Sequence, residues 1–310
     1  MSQHSAILTD ITTKNDLDKN SFTGKRARPV PNSEVVNFID EKINAKFLYD
    51  DTVLPSFVEE YYEWIQKSKL NNLNGLDKYT AVDFVHGTSQ AFDFFYMSHN
   101  KKRFRCLRGD YVYHKVSWQN YFDWCYLDED DLRPGDALVI SVPFSDYGSK
   151  HPLLGWLLDG CDELDIPVLL DCAYYCISRD LYLNVDRPCI DTITFSMSKA
   201  FYGMERLRAG IRCRNRRVDD GAVLINDFHC VSKIAAGVGI ELCRNFEPDY
   251  NQNKYRNKQI EICNKLDLEL SNCVLFGLTD KNHPKYGVED YNRGTDWRRV
   301  CLSTLLGDMS

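Results

Sequence analysis

The sequence predicts an α/β fold: a mostly parallel sheet with helices on both faces, followed by a reduced C-terminal α+β subdomain. Three observations carry that prediction. Short runs at 81–85, 137–142, 168–170 and 192–195 are largely apolar, the pattern of strands covered on both faces rather than on one. Helix-length segments separate these runs, and strand–helix alternation is how parallel sheets are connected. Asp171 and Ser196 close two of the runs, and in open α/β sheets functional groups gather where the carboxyl ends of strands meet loops.

The elements follow in order. Residues 1–33 are polar, include the basic Lys25-Arg26-Ala27-Arg28-Pro29 stretch, and read as an extended arm. From Ser33, the residues Val35, Val36, Phe38, Ile39, Ile43, Phe47 and Leu48 recur at helical spacing. Ser56 is expected to cap a second helix that carries Phe57, Tyr61, Trp64 and Ile65. The strand at 81–85 leads through Gly87-Thr88-Ser89-Gln90 into a helix at 91–97. The strand at 137–142 leads through a turn at 143–148 to a helix near 153–164, and strands ending at Asp171 and Ser196 follow. Past about residue 235 come a polar helical stretch at 251–270, an apolar segment at 273–276, a Gly/Asp/Asn-rich loop and a last strand at 299–302. The expected division is 1–50 for the arm and lead-in helix, 51–235 for a large domain and 236–310 for a small one.

Composition narrows the function classes. Of 310 residues, 44% are hydrophobic and 27% charged, which excludes wholesale disorder. No uncharged apolar run approaches the 18 or so residues of a membrane span. A net charge of −7 argues against nucleic acid as a partner, because phosphate neutralisation needs an excess of Lys and Arg. The opening segment has no basic start and no long apolar stretch, so a cytoplasmic location is expected. Twelve cysteines occur without a CxxC pair and are expected to be reduced, small core residues, with no metal site. The basic stretch at 101–108 reads as a solvated loop, the acidic one at 127–131 as surface, and His86 as structural. Asp93-Phe94-Phe95-Tyr96 reads as a core-facing helix, and Tyr49 as packed, with approach to a neighbouring subunit as the alternative.

The segment Ser196-Met197-Ser198-Lys199 follows an apolar strand directly. A lysine there is open to desolvation, which favours the free amine and Schiff-base chemistry with carbonyl compounds. Asp171 is suited to pair with a protonated pyridine nitrogen. Gly87, Thr88 and Ser89 lie between a strand and a helix, where backbone N–H groups and hydroxyls cradle phosphate. Arg208 adds a charge-assisted phosphate contact, and Arg299 heads the last strand as a candidate clamp for a substrate carboxylate.

Together these motifs resemble the aspartate-aminotransferase superfamily of fold type I pyridoxal-phosphate enzymes, over residues 80–215 above all. The resemblance implies that Lys199 carries the cofactor as a Schiff base and that Ser196 and Arg208 bind its phosphate with Thr88 and Ser89. Asp171-Cys-Ala-Tyr174 matches the element in which Asp171 meets the ring nitrogen and Tyr174 the 3-hydroxyl. His114 takes the ring-stacking position, with Tyr113 or Tyr111 as alternates. Ser145 stands where the family has an asparagine, and one extra residue between Lys199 and Arg208 leaves Arg206 as a substitute for the arginine. The implied function is pyridoxal 5'-phosphate-dependent transfer of an amino group between an α-amino acid and a 2-oxo acid, in a homodimer. Another reaction of the same cofactor on an amino acid is the first alternative: racemisation, decarboxylation, elimination, cyclisation or oxidation. A non-catalytic binding protein is the second.

Overall fold

The computed structural model describes residues 27–287 and 291–309, so most of the expected arm lies outside the described residues. Nine strands form the larger part: β1 (Asn71–Asn74), β2 (Ala81–Val85), β3 (Arg103–Cys106), β4 (Trp124–Tyr126), β5 (Asp136–Ser141), β6 (Val168–Asp171), β7 (Leu181–Asn184), β8 (Ile190–Ser196) and β9 (Gly210–Arg214). Seven of them make the central sheet in the order β2-β9-β8-β6-β5-β3-β4, while β1 and β7 pair separately in parallel. From β8 to β4 every pairing is parallel; β9 alone runs the other way, between β8 and β2.

The continuous apolar runs are explained by burial on both faces. In β5, Leu138 and Ile140 join one apolar cluster and Ala137 and Val139 another; in β6, Val168 and Leu170 part from Leu169 in the same way. The first cluster is covered by helices Ser33–Lys42, Val53–Gln66, Leu154–Glu163 and Lys233–Asn245, the second by Thr88–Ser98 and Tyr113–Trp118. A third cluster belongs to the helix Tyr250–Leu266 and an antiparallel sheet of β10 (Glu269–Leu270), β11 (Phe276–Asp280) and β12 (Trp297–Cys301), with Ala27, Val30 and Ile177 packed into it. Among the described residues no helix is long and apolar enough to cross a membrane.

Several expectations are corrected. Ser56 does not cap the second helix, which starts at Val53 with Thr52 before it; Pro55 is tolerated because it falls in the first turn, where N–H groups lack helical partners anyway. The helix expected at 91–97 begins at Thr88, directly behind Gly87. The basic stretch at 101–108 is no solvated loop: it holds β3, and Arg105 is fully buried. Asp136 takes hydrogen bonds from Arg103 (2.7 and 3.0 Å) and Arg105 (2.8 Å), so the arginines enter the interior with their counter-charge. Tyr49 is not packed; it is 86% exposed.

A candidate active site at the carboxyl edge of the sheet

Strands β2, β3, β5, β6 and β8 all end on one edge of the sheet, and inverted β9 begins there. One connection therefore carries Ser196, Lys199 and Arg208 along the same edge. Gly210 is the register partner of both Ser196 and Val85, which brings the turn after β2 against it.

That turn is shaped by Gly87, whose φ of +79° suits glycine. A Cβ there would lie 2.5 Å from Nη2 of Arg208. Arg208 itself is left-handed (φ 64°) behind the helical turn Met204–Leu207. Its Nη2 donates to the His86 carbonyl (3.1 Å) and to Oγ of Ser89 (3.0 Å). Arg208, not Arg206, faces the site: Arg206 lies on that turn and is 81% exposed. Oγ of Ser196 lies 2.9 Å from Oγ of Ser198 and accepts from its backbone N–H. Guanidinium, hydroxyls and the N-terminus of the helix Thr88–Ser98 thus converge as an anion cradle.

Beside the cradle stand Lys199 and Asp171. Lys199 is part-buried and donates to the carbonyl of Ala27 at 2.6 Å. Burial lowers its amine to about 8; Cys301 opposes this, and the positive Arg299 and Arg208 add to it. Asp171 is buried and accepts from the N–H of Ala173 at 3.0 Å. Burial pushes its carboxyl up to about 7, helped by the negative Asp110 and opposed by Ala173, Lys199 and the Thr88 hydroxyl.

The outer wall comes from the small sheet. Tyr174 packs edge-on against Phe276 (5.6 Å between ring centres), and Arg299 lies over the same ring at 4.5 Å. Arg299 is buried and donates to the carbonyl of Ser145. Oγ of Ser145 is 3.5 Å from Nη2 of Arg293. Arg298, one residue along, turns back to the carbonyls of Thr295 and Trp297, as alternation along a strand requires.

One assignment fails. His114 is fully buried, with Nδ1 2.6 Å from the Tyr96 hydroxyl and its ring stacked on Trp118 at 5.6 Å. The helix Tyr113–Trp118 sets His114 and Trp118 one turn apart on the same inward face. Tyr111, just before that helix and 39% exposed, is the aromatic that borders the site. Sequence reasoning missed Asp110 and Arg293. A Gly-Asp pair just before Tyr111-Val112-Tyr113 was the available sign for Asp110; nothing in the Gly/Asp/Asn-rich loop singled out Arg293. A separate cavity of about 280 Å³, bordered by Trp64, Lys67 and Arg244, contains none of these residues.

No family model and no curated protein matches the chain. Solved structures do match in fold. A putative amino-acid aminotransferase from Psychrobacter arcticum superposes with a TM-score of 0.65 at 14% identity, covering 98% of this chain and 92% of that one. A mutant aspartate aminotransferase from Thermus thermophilus, complexed with tryptophan, gives 0.64 at 17% identity, covering 98% and 94%. A pyridoxal-phosphate-bound C-S lyase from Staphylococcus hominis gives 0.62 at 13% identity, covering 94% and 87%. The chain therefore has the fold of these aminotransferases and lyases, fold type I of the pyridoxal-phosphate-dependent enzymes.

Proposed function

We propose that the protein is a pyridoxal-phosphate-dependent enzyme that transfers an amino group between an α-amino acid and a 2-oxo acid. The observation that carries the reading is a part-buried amine set between an anion cradle and a buried carboxylate on one sheet edge. The cradle fits a phosphate monoester: Gly87 leaves it open where a side chain would collide with Arg208, and its donors are hydroxyls, N–H groups and a guanidinium. Thr88, Ser89, Ser196 and Arg208 would hold the phosphate, Asp171 the ring nitrogen, Tyr174 and Ser145 the ring hydroxyl, and Tyr111 the ring face. When bound, the cofactor supplies a carbonyl that condenses with amines and a ring that accepts the electron pair of a breaking α-C–H bond.

The chain's own residues do the rest. Lys199, held near 8 by burial, is available as a neutral base close to neutral pH and carries the α-proton. Arg299 offers its fork to the substrate carboxylate and fixes which bond stands ready to break. Asp171 keeps a proton at the ring nitrogen. Borohydride reduction of the cofactor-loaded protein, followed by peptide mapping, is expected to place the pyridoxyl group on Lys199. Finding it on another lysine, or on none, overturns the assignment. Exchange of amino groups with a panel of 2-oxo acids tests the reaction type, and light scattering tests the homodimer that this reading includes.

A second reading, elimination or another reaction of the same cofactor, is favoured by Ser145. Its short hydroxyl faces Arg293 in place of the amide usual at that point, which changes how the ring hydroxyl is held. Turnover of amino acids without any 2-oxo acid would select it.

A further inference from the structure

A second carboxylate lies beside Asp171. Asp110 follows the turn after β3 and is 8% exposed; Asp171, at the end of β6, is 5% exposed. Oδ1 of Asp110 accepts from the N–H of Tyr111 (2.7 Å) and from the Ser141 hydroxyl, and Oδ2 accepts from the N–H of Ser141 (3.1 Å). Ser141 ends β5 and is the register partner of Asp171. Asp110 is thus pinned to the strand end next to the one that carries Asp171, a spacing of about 4.8 Å between strands. Among the described residues, neither carboxylate has a Lys or Arg within ion-pair distance.

We propose that Asp110 is a positioning residue for the ring nitrogen: the two carboxylates share one proton, and the donors around Asp110 keep that proton on Asp171. This rests on the cofactor reading above. Two buried carboxylates on neighbouring strand ends, one raising the other, do not both ionise readily, so one retains its proton. The surroundings decide which. Asp110 has three hydrogen bonds to its anion and the positive Arg293 nearby, a cation it shares with the buried Asp146 at 3.7 Å; Cys106 and Tyr147 are further titratable groups around it. Asp171 has the Ala173 N–H, the Thr88 hydroxyl and the charge of Lys199, with Cys172 and Tyr96 beside it. The better-solvated anion is Asp110. Burial still raises both, Asp110 to about 6 and Asp171 to about 7, which agrees with the order the donors set. A ring nitrogen docked at Asp171 then stays protonated through neutral pH, and Asp110 acts on it only through Asp171.

The test needs no turnover. In apoprotein labelled at the aspartate carboxyl carbon, NMR titration should show Asp171 changing last of the pair. Asp110→Asn should lower the Asp171 midpoint by about one pH unit or more. Ser141→Ala, a milder change that removes one donor from Asp110, should move the proton towards Asp110 and lower the Asp171 midpoint as well. With ring-15N cofactor bound, Asp110→Asn should also lower the pH at which the ring nitrogen loses its proton. An Asp171 midpoint unmoved in both variants overturns the proposal, as does an unmoved ring nitrogen. Failure of the wild-type protein to take up the cofactor would instead sink the function proposed above, a result the apoprotein titration keeps separate.

Discussion

Lys199 shows how much a single position is set by its surroundings. An exposed lysine is charged until well above pH 10, yet this amine is lowered to about 8 because burial penalises the ammonium. The neutral amine is the nucleophile, so the rate at which pyridoxal is captured by reductive amination at Lys199 should rise with pH and level off shortly above 8. A rise continuing to pH 10 would show a solvated lysine. The sign carries over to stability: between about 8 and 10.5 the unfolded chain binds more protons at this residue than the folded one, so its penalty on folding fades as pH rises through that window. Gly87 gives a second test at this scale. In Gly87→Ala the new methyl meets Arg208 and displaces the guanidinium that holds Ser89 and the His86 carbonyl. Charge-assisted bonds of this kind contribute about 1.5–3 kcal/mol each, so affinity for pyridoxal phosphate should fall by roughly tenfold or more while circular dichroism stays unchanged. Unaltered affinity in a fluorescence titration would remove Arg208 from the cradle.

Strand β3 is the element that the sequence pattern hid. Its residues Arg103 and Arg105 read as solvent-facing charge, and they are buried because Asp136, at the start of the neighbouring β5, receives both. Burial by itself would raise the Asp136 carboxyl, but hydrogen bonds from Arg103 and Arg105 outweigh it and hold the group below the usual range. A carboxyl depressed on folding adds stability above its unfolded value near 4 and loses it as pH falls through the folded value. Asp136→Ala leaves the buried Arg105 without a carboxylate and Arg103 with only the more exposed Asp130, and breaking such a buried pair costs about 3–5 kcal/mol. A large drop in urea midpoint at pH 7 is expected, with a smaller loss than wild type on going to pH 3; a midpoint unchanged at pH 7 would mean water replaces the carboxylate. Strands β5, β6 and β8 were legible because two-sided burial leaves continuous apolar runs. Lys199 and Asp171 were legible because each follows such a run, and Arg208 because it stands in the same connection just ahead of β9. Asp110 and the core position of His114 were not, since the first depends on which strand end lies beside it and the second on a partner, Tyr96, in another helix.

Across the whole molecule the twelve cysteines are free thiols, and burial separates them: Cys230 is exposed, Cys125 and Cys243 are intermediate, and the others are buried. A thiol reagent should therefore label Cys230 quickly and Cys125 and Cys243 slowly in native protein, with the remainder reacting only after denaturation; rapid release of all twelve would contradict the packing. The cradle has a consequence for how the molecule assembles. Ser196 and Arg208 lie on one short connection, whereas the His86 carbonyl that Arg208 grips comes from 122 positions away. It arrives with β2, an edge strand of the central sheet whose partner there is β9. Contacts of such sequence separation are slow to form, because the intervening loop must close before they repay it. An anion bound across the cradle bridges the early-formed part and the late-arriving strand, and at a hundredfold excess over its dissociation constant it adds about 2.7 kcal/mol in favour of the docked state. The ligand thus becomes a fastener for the sheet's margin, and amide exchange in β2 should slow when the cradle is filled.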